Sequence, residues 1–424
     1  MALPGVILAV VILLLLSLPI FISLLLPAIA GLTWFDMSMP PVAVVQHAIN
    51  GVSIPALLAV PLFMFAADII AGGEIADRLV ALMEAAIGHI PGGMAIATIM
   101  TMMLFGAISG VGVAAIVSIG PIAYPVLLKR GYSRGFALGL ILSGATLSML
   151  IPPSVAIILY GLQANQSIAQ TFLTGLAAGI VFATILIAFT LVYVRVRGLG
   201  NDQKFSLEGL VAAARRASLA ILFPLIILGG IYGGITTVTE AAAVSVGYAV
   251  LVEIYVYKRL NWAALVSIAR SSSKVIAMVM ILIVGGSLLT WYLTLQQVPQ
   301  LVANIGVFDS AVTVLLVINL IFLFAGMLVD VNSAIIILTP LVMPAALQVG
   351  IDPIHLGAVV AMNLAIGMIS PPFGMNLFVG MATFKLSYKE TLKAVMPFLL
   401  LTLVSLAIVT YIPQSTLWLR DLLF

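Results

Sequence analysis

Long apolar runs separated by short polar segments extend through the whole chain. Nine runs are long enough to cross a bilayer as helices, because a crossing needs about 20 residues at a rise of 1.5 Å each. They cover residues 3–27, 52–71, 136–161, 172–194, 218–235, 239–257, 275–293, 356–380 and 394–412. The pattern predicts an all-α polytopic membrane protein, since the runs are too long and do not alternate as the strands of a membrane barrel do.

Two further apolar regions, 95–127 and 312–347, are longer than one crossing and have small or polar residues at the centre. The first reads GAISGVGVAA over 106–115, and the second reads AGMLVDVNSA over 325–334. Each region is either one long helix or a re-entrant helical hairpin with its tip at mid-membrane. Non-helical backbone at that depth survives only when it is buried in protein or faces water, so these central residues favour hairpins.

The positions of the basic residues support this layout. Of the 17 lysines and arginines, 16 lie in segments that are on the inner side if the N-terminus is inside and both long regions are hairpins. Only Arg420 lies elsewhere. The positive-inside rule then predicts a cytoplasmic N-terminus and a periplasmic C-terminus. The inner segments are 72–94, 128–135, 195–217, 258–274 and 381–393.

The sequence also repeats itself at an offset of 219 residues, without a gap. Four coincident prolines in one register are expected by chance in roughly one register in 10⁵, at a proline frequency of about 5%. Five predicted crossings separate the two hairpins, so the second repeat is inverted relative to the first. Inverted repeats with broken helices are typical of secondary transporters. The coincident prolines are Pro121 with Pro340, Pro125 with Pro344, Pro152 with Pro371, and Pro153 with Pro372.

These patterns predict four parts, two of scaffold helices and two transport repeats. The scaffold parts are 1–94, which includes a surface arm at 32–51, and 195–311, which begins with a linker. The transport repeats are 95–194, with hairpin 95–127 and broken helix 136–161, and 312–424, with hairpin 312–347 and broken helix 356–380.

Adjacent prolines stand at the centre of two predicted spans, in LIPPS (150–154) and in ISPP (369–372). Proline lacks an amide donor and clashes with the preceding turn, so each pair is expected to break its helix and free backbone carbonyls. Freed carbonyls are hard oxygen ligands, and broken helix ends carry partial charge. Two hairpin tips facing two broken helices would form two cation sites with a substrate site between them. The alternative is that both pairs only kink their helices.

Composition excludes several other classes of protein. The chain is 63% hydrophobic and 7% charged, whereas soluble domains carry about 25% charged residues. The absence of cysteine excludes disulfides and thiolate metal sites, and the three histidines show no metal-ligand spacing. The basic residues are dispersed among apolar spans, which gives no nucleic-acid interface. No P-loop motif is present, so pumping driven by ATP is unsupported.

Four stretches closely resemble the DctM-like large membrane subunit of TRAP transporters, the tripartite ATP-independent periplasmic family. They are GIDPIHLGAVVAMNLAIGMISPPFGMNLFVG (350–380), TVTEAAAVSVGYA (237–249), FGAISG (105–110) and LIPPSVAIILYG (150–161). The resemblance implies an elevator-type transporter of the bacterial inner membrane that imports an organic acid, such as a C4-dicarboxylate or sialic acid, with sodium as the coupling ion. It also implies a separate small four-helix membrane subunit and a periplasmic binding protein that delivers the substrate.

The resemblance places sodium at the hairpin tips and helix breaks. The first tip reads SGVG, where the family often has a serine-rich tip, so main-chain oxygens are expected to dominate the first site. That site would use Ser109 and the tip near Gly112, with carbonyls around Ser148, Ile151 and Pro153. The second site would use the tip from Gly326 to Ser333, including Asp330 and Asn332, with carbonyls around Gly367, Ser370 and Phe373.

No buried arginine or lysine is evident for a substrate carboxylate. The substrate would then be bound by hairpin amides, hydroxyls and the positive ends of half-helices. Candidate side chains are Ser143, Thr146, Ser154, Asn363 and Asn376.

Each acid at depth also has a structural interpretation. Asp330 is expected to cap the second helix of its hairpin. Glu240 would be an acid at a helix N-terminus, where the helix dipole favours it. Asp68 and Glu253 lie near the inner ends of their spans and are expected to reach the interface.

Three other functions are alternatives to a TRAP subunit. A stand-alone sodium/dicarboxylate-type symporter has similar inverted repeats and would transport without a binding protein. A channel needs a continuous pore, whereas hairpins meeting at the midplane indicate a closed, alternating site. An intramembrane enzyme is disfavoured because no Ser/His pair, no facing aspartates and no HExxH motif occur. The chain is therefore expected not to be an enzyme and to need no cofactor beyond sodium ions.

Overall fold

The computed structural model describes residues 2–16, 18–35, 38–199, 205–303 and 310–424. Within these ranges the chain forms helices and connecting segments, and no strand occurs. Eight of the described helices are long and apolar enough to cross a membrane, or up to ten if two bent pairs each form one span. The predicted all-α membrane fold is confirmed. Lys204, in one predicted inner segment, lies outside the described residues.

The helices are numbered here in chain order. They are α1 (Ala2–Leu15), α2 (Ile20–Ala30), α3 (Pro41–Val52), α4 (Ala59–Ala71), α5 (Ile75–Ile87), α6 (Gly93–Ser109), α7 (Gly112–Lys129), α8 (Arg134–Leu150), α9 (Val155–Gln163), α10 (Ile168–Arg197), α11 (Leu207–Tyr232), α12 (Val238–Val250), α13 (Trp262–Leu295), α14 (Val298–Ala303), α15 (Ala311–Leu328), α16 (Val331–Gln348), α17 (Pro353–Gly367), α18 (Met375–Phe384), α19 (Tyr388–Tyr411) and α20 (Gln414–Leu423).

The first repeat is a helical hairpin followed by a broken helix. Helices α6 and α7 are joined only by Gly110 and Val111, and Gly110 has a φ of 60° that a side chain would strain. Helices α8 and α9 are bent by 42° across the Pro152-Pro153 break. The helix resumes at Ser154, whose hydroxyl accepts a hydrogen bond from the amide of Ile157.

The second repeat has the same order of elements. Hairpin helices α15 and α16 are joined by Val329 and Asp330, and the Asp330 side chain caps α16 by accepting the amide of Ser333 at 3.1 Å. The expected capping role of Asp330 is therefore confirmed. Helices α17 and α18 are separated by residues 368–374, which contain the second proline pair. Both long regions are hairpins rather than single helices.

The two hairpins open at opposite ends of the molecule. Arg130, just after α7, lies 3.5 Å from Glu84 of α5, and a Cβ on Gly92, just before α6, would lie 3.3 Å from Val194 near the end of α10. Asp352, just after α16, instead pairs with Arg420 of α20. Thr174 near the start of α10 donates to the carbonyl of Ile354 beside Asp352, whereas Val194 lies about 30 Å further along the same helix. The two hairpins therefore open at opposite ends and the repeats are inverted, as the odd number of crossings predicts.

The predicted inner segments meet at one end, here called the basic end. The Arg78 guanidinium donates to the Arg216 carbonyl at 2.5 Å and lies 3.7 Å from the centre of the Tyr257 ring. Arg134, Arg197 and Lys393 line one cavity there. Tyr257 directly precedes the segment 258–274, so the described parts of the five segments meet at this end. Which side of the membrane this end faces stays a prediction.

The first predicted span is wrong as a single helix. Residues 3–27 fall into two shorter helices, α1 and α2, that pack on each other, and α2 continues as a π-helix over Gly31–Phe35. The run is interrupted before Pro19, which precedes α2 and cannot donate an amide to a continuing helix. The side on which the N-terminus lies stays a prediction.

The second predicted span, 52–71, corresponds to the segment Pro55–Ala71, which follows α3 at a bend of 57°. Pro55 lacks an amide and restricts Ile54 to extended backbone, which ends α3. The predicted surface arm at 32–51 contains α3, a helix that packs along α13. Trp34 in this arm is 77% exposed.

Glu253 does not reach the interface, so that expectation is wrong. It is fully buried, and its carboxylate accepts the amides of Glu74 at 3.0 Å and Ile75 at 3.3 Å, at the start of α5. The carboxylate of Glu253 fits there because Gly73 has no side chain, since a Cβ on Gly73 would overlap the carboxylate. Asp68 is exposed and accepts the Ser272 hydroxyl.

Glu240 has the role expected of an acid at the start of a helix. It forms a reciprocal capping box with Thr237 at the N-terminus of α12, in which the Thr237 amide donates to the carboxylate at 2.7 Å.

Candidate functional site

The tip of the first hairpin lies on the first helix break. A Cβ on Gly110 would overlap the carbonyl oxygen of Pro153, so the tip backbone directly contacts the break. Ser109 beside it is 2% exposed, and its hydroxyl accepts the amide of Val111 at 3.4 Å. A Cβ on Gly112 would lie 3.3 Å from Nδ2 of Asn376. One tip thus contacts the break of its own repeat and α18 of the other repeat.

The second hairpin makes the corresponding contact in its own repeat. A Cβ on Gly367 would lie 2.6 Å from Cα of Gly326, so α15 and α17 pack backbone on backbone. In the first repeat, a Cβ on Gly106 would lie 2.5 Å from Cα of Ser148. Ser148 and Gly367 are separated by the repeat offset of 219. The first helix of each hairpin therefore packs on the same point of its broken helix.

The two breaks differ in the carbonyls that they leave free. In the first break, the residue that would normally donate its amide to the Ser148 carbonyl is Pro152, which has no amide hydrogen. The carbonyls of Ile151 and Pro153 accept no hydrogen bond from the described residues. In the second, the carbonyl of Gly367 accepts the amide of Ser370 at 3.0 Å, which leaves one lone pair for another partner.

The carbonyls of Met368 and Ser370 in the second break are also engaged. They accept the amides of Asn376 at 2.9 Å and of Gly374 at 3.0 Å. The first break therefore has the less satisfied backbone of the two, and both offer neutral oxygens rather than carboxylates.

Three of the predicted site residues have hydroxyls that donate to backbone carbonyls. Thr146 donates to the Ser143 carbonyl at 2.6 Å, Ser370 to the Ile366 carbonyl at 2.8 Å, and Ser148 to the Met102 carbonyl at 2.9 Å. Each hydroxyl oxygen still has lone pairs for a cation. Their main contribution in this conformation is to hold the helices around the breaks.

Other predicted site residues lie apart from these contacts. Asn363 donates to Oδ1 of Asn319 at 2.6 Å and to the Val359 carbonyl, so its amide nitrogen is occupied. Asn332 is partly exposed. Phe373 is 59% exposed, so only its main chain is a candidate. The structure thus brings Ser109, Gly112, Pro153, Ser154 and Asn376 into one region and Gly326 with Gly367 into another.

Unpartnered polar atoms are buried in the helices around the breaks. Asn376 is fully buried, and neither its Oδ1 nor its Nδ2 has a partner within the described chain. The same is true of the hydroxyls of Ser143 on α8 and Thr339 on α16. Buried polar atoms are nearly always hydrogen-bonded, so such atoms indicate a place for a ligand, ion or water.

Sequence reasoning missed Thr339 and Asn319. Thr339 directly precedes Pro340, which the repeat pairs with Pro121, and this position next to a repeated proline was an available signal. Asn319 interrupts an apolar run in α15 and donates to Oγ1 of Thr410 at 3.1 Å. A lone side-chain amide within a membrane span is unfavourable unless it has a partner. Its presence in an apolar run therefore signals a buried polar contact.

The oxygen atoms of this site suit a hard cation more than a transition metal. Among the residues that the structure describes, no group of three His, Cys, Asp or Glu side chains could hold a metal ion. Carbonyl and hydroxyl oxygens are the typical ligands of hard cations.

Inverted repeats, each with a re-entrant hairpin whose first helix packs on a broken helix, define the class of this protein as a secondary transporter. The family described as "Tripartite ATP-independent periplasmic transporter, DctM component" matches residues 7–415, and the chain belongs to this family. The resemblance found in the sequence is confirmed. The chain is thus a multi-pass membrane permease subunit of the TRAP family.

Individual relatives agree with this assignment. The ectoine TRAP transporter large permease protein TeaC of Halomonas elongata is 37% identical over 415 residues, which cover 97% of each chain. The C4-dicarboxylate TRAP transporter large permease protein DctM of Pseudomonas aeruginosa is 37% identical over 365 residues, or 85% of each chain. The YdaH transporter of Alcanivorax borkumensis shares the fold, with a TM-score of 0.61 at 14% identity over 87% of this chain and 86% of its own.

Proposed function

We propose that this permease subunit imports an organic acid across the bacterial inner membrane by sodium symport. The observation that carries the proposal is the contact between each hairpin and a proline-broken helix, made at Gly110 with Pro153 and at Gly326 with Gly367. Carbonyls that lost their helical donors are suitable sodium ligands. Sodium would occupy the hairpin–break junctions, and the substrate would lie between them.

An elevator mechanism is consistent with how the repeats pack. Helix α7 of the first repeat packs on α18 of the second, and α16 of the second packs on α9 of the first. These crossed contacts would let both repeats move as one body. Helices α2, α3 and α4 each pack on α13, and these four helices would form the stationary scaffold.

The proposed substrate is a small carboxylate. Relatives are named for ectoine and for C4-dicarboxylates. The contacts at the first junction involve no lysine or arginine, so sodium ions, backbone amides and the amide of Asn376 would bind the carboxylate. Two further components follow from the tripartite family: a small four-helix membrane subunit and a periplasmic binding protein. With the basic end in the cytoplasm, the C-terminus would be periplasmic.

Uptake into proteoliposomes tests this function. The chain is reconstituted with its small subunit and supplied with labelled substrate and its binding protein, with and without an inward sodium gradient. Sodium-dependent uptake that requires the binding protein supports the proposal. Equal uptake by this chain alone would favour the stand-alone symporter, and uptake without any sodium dependence would overturn the symport mechanism.

A further inference from the structure

A cavity that is separate from the helix breaks opens at the basic end. It has a volume of about 420 Å³ and lies between α8, α10 and α19. One cationic side chain from each helix lines it: Arg134, Arg197 and Lys393. The volume is within the usual range of about 300–1,000 Å³ for small-molecule pockets.

The positive charge of this cavity is only partly offset by the protein, because three cations and one acid line it. No ion pair joins Arg134, Arg197 or Lys393 to a carboxylate of the described residues. Glu390 is the acid in the wall, and its carboxylate accepts the amide of Ser387 at 2.9 Å and the hydroxyl at 2.6 Å. That acid caps α19 and keeps its negative charge near Arg134, so three exposed cations against one carboxylate leave the cavity with a net positive charge for an anion.

Beneath the cations the cavity is lined by aromatic rings. The ring centroids of Phe136 and Tyr193 are 4.0 Å apart, and those of Phe189 and Phe398 are 5.3 Å apart. The Arg197 guanidinium lies 5.8 Å from the centre of the Tyr193 ring. A charged rim above an apolar floor matches a ligand with an anionic head and an apolar body, and does not match a small hydrated anion.

The rim also adjoins a surface that faces lipid. Helices α10 and α19 both meet the length and hydropathy of membrane spans. Beside the lining residues, Val192 is 59% exposed, Val196 79% and Leu400 62%. Apolar side chains exposed on a spanning helix contact acyl chains, so a lipid can enter this cavity from the bilayer.

We propose that this cavity binds the headgroup of an anionic phospholipid from the leaflet at the basic end. The phosphate would lie among Arg134, Arg197 and Lys393, and the glycerol and upper acyl chains would pack on the aromatic floor. Basic pockets between spanning helices on the cytoplasmic side are suited to such headgroups. The bound lipid would join α8 and α10 of the first repeat to α19 of the second.

Native mass spectrometry of the purified chain tests the site. Delipidated protein is mixed with phosphatidylglycerol, cardiolipin or phosphatidylcholine at equal concentrations. The variant R134Q/R197Q/K393Q removes the rim, and the matched control R215Q/R270Q/K274Q removes the same charge from exposed positions outside the cavity. We expect wild type and control to retain anionic lipid at least tenfold more than phosphatidylcholine. In the rim variant the ratio of retained anionic lipid to phosphatidylcholine should be at least fivefold lower.

Two results would overturn the proposal. One is an equal loss of preference in the rim variant and the matched control, which would mean that only overall charge matters. The other is displacement of the lipid by inorganic phosphate at equal concentration, which would mean that a soluble anion occupies the cavity. If the triple variant elutes as aggregate, the single variants R197Q and K393Q provide the same comparison. The variant R134K/R197K keeps the positive charge and should retain the preference for anionic lipid.

Discussion

A methyl group added at Gly367 tests the contact between the second hairpin and its broken helix. The new Cβ would lie 2.6 Å from both Cα and the carbonyl carbon of Gly326, whereas ordinary contact begins at 3.4 Å. The obstacle is backbone and cannot rotate away. Gly367→Ala therefore requires α15 and α17 to separate by roughly 0.8 Å.

The expected cost follows from that displacement. Overpacking of a well-packed core typically costs about 1–3 kcal/mol. Oxygen–cation distances that depart by more than about 0.2 Å no longer fit a metal site. We therefore expect both a lower unfolding temperature and at least a tenfold higher sodium concentration for half-maximal uptake.

A graded series makes the test specific. A Cβ on Gly326 would meet its nearest atom at 3.1 Å, so Gly326→Ala should have a smaller effect than Gly367→Ala. A Cβ on Gly247, within α12, would have no atom within 4 Å. Gly247→Ala should be neutral or stabilise the helix by up to about 1 kcal/mol. Thermal unfolding and sodium titration of uptake are measured on all three variants.

The reasoning would be refuted by a folded Gly367→Ala protein with wild-type unfolding temperature and sodium response. It would also fail if Gly247→Ala were as damaging as Gly367→Ala, because general sensitivity to substitution would then explain both results.

Three further predictions concern the helix breaks, the unpartnered amide of Asn376 and the ion pair of Asp352 with Arg420. Pro371→Ala with Pro372→Ala restores two helical donors, so a folded double variant should lose sodium-dependent uptake, and a wild-type response would exclude a carbonyl site. Asn376→Leu should reduce uptake at least tenfold. It should not lower the unfolding temperature, because the unpaired buried amide that it removes costs about 1–3 kcal/mol. Normal uptake would leave Asn376 only a packing role. At Asp352, burial raises the pKa, but hydrogen bonds from Arg420 and two amides outweigh it and hold the pKa below its usual value. This stabilisation is present above the unfolded pKa and is lost as pH falls through the folded one. Asp352→Asn should therefore cost less than about 1 kcal/mol at pH 7 and flatten the decline in stability at pH values below the ordinary aspartate pKa of about 3.9, as thermal unfolding against pH would measure.

Much of the architecture could be predicted because it depends on local chemistry. In a bilayer a segment must satisfy its own backbone hydrogen bonds, so apolar length alone predicts most spanning helices. A proline pair breaks a helix wherever it stands, and a glycine such as Gly110 allows the chain to reverse between two helices. The repeat offset then relates Ser148 to Gly367, and the structure places both against the first helix of a hairpin.

The candidate site was only partly predictable. The hairpin–break contacts at Gly110 and Gly367 agree with the prediction, because they follow from elements that the sequence already marks. The hydroxyl of Thr146, a predicted substrate ligand, bonds to its own helix, and nothing in the local sequence distinguishes this from ligand binding. Asn319 was missed because its partner Thr410 is 91 residues away.

The sequence by itself thus determined the class of protein, the inverted repeats and the positions of the helix breaks. Only the tertiary structure decided that Glu253 caps α5 and that three cations meet over an aromatic floor. The physical reason is the range of each interaction. Helix formation and proline breaks act within one turn, whereas the carboxylate of Glu253 meets an amide 179 residues away, and such a partner is defined only by packing.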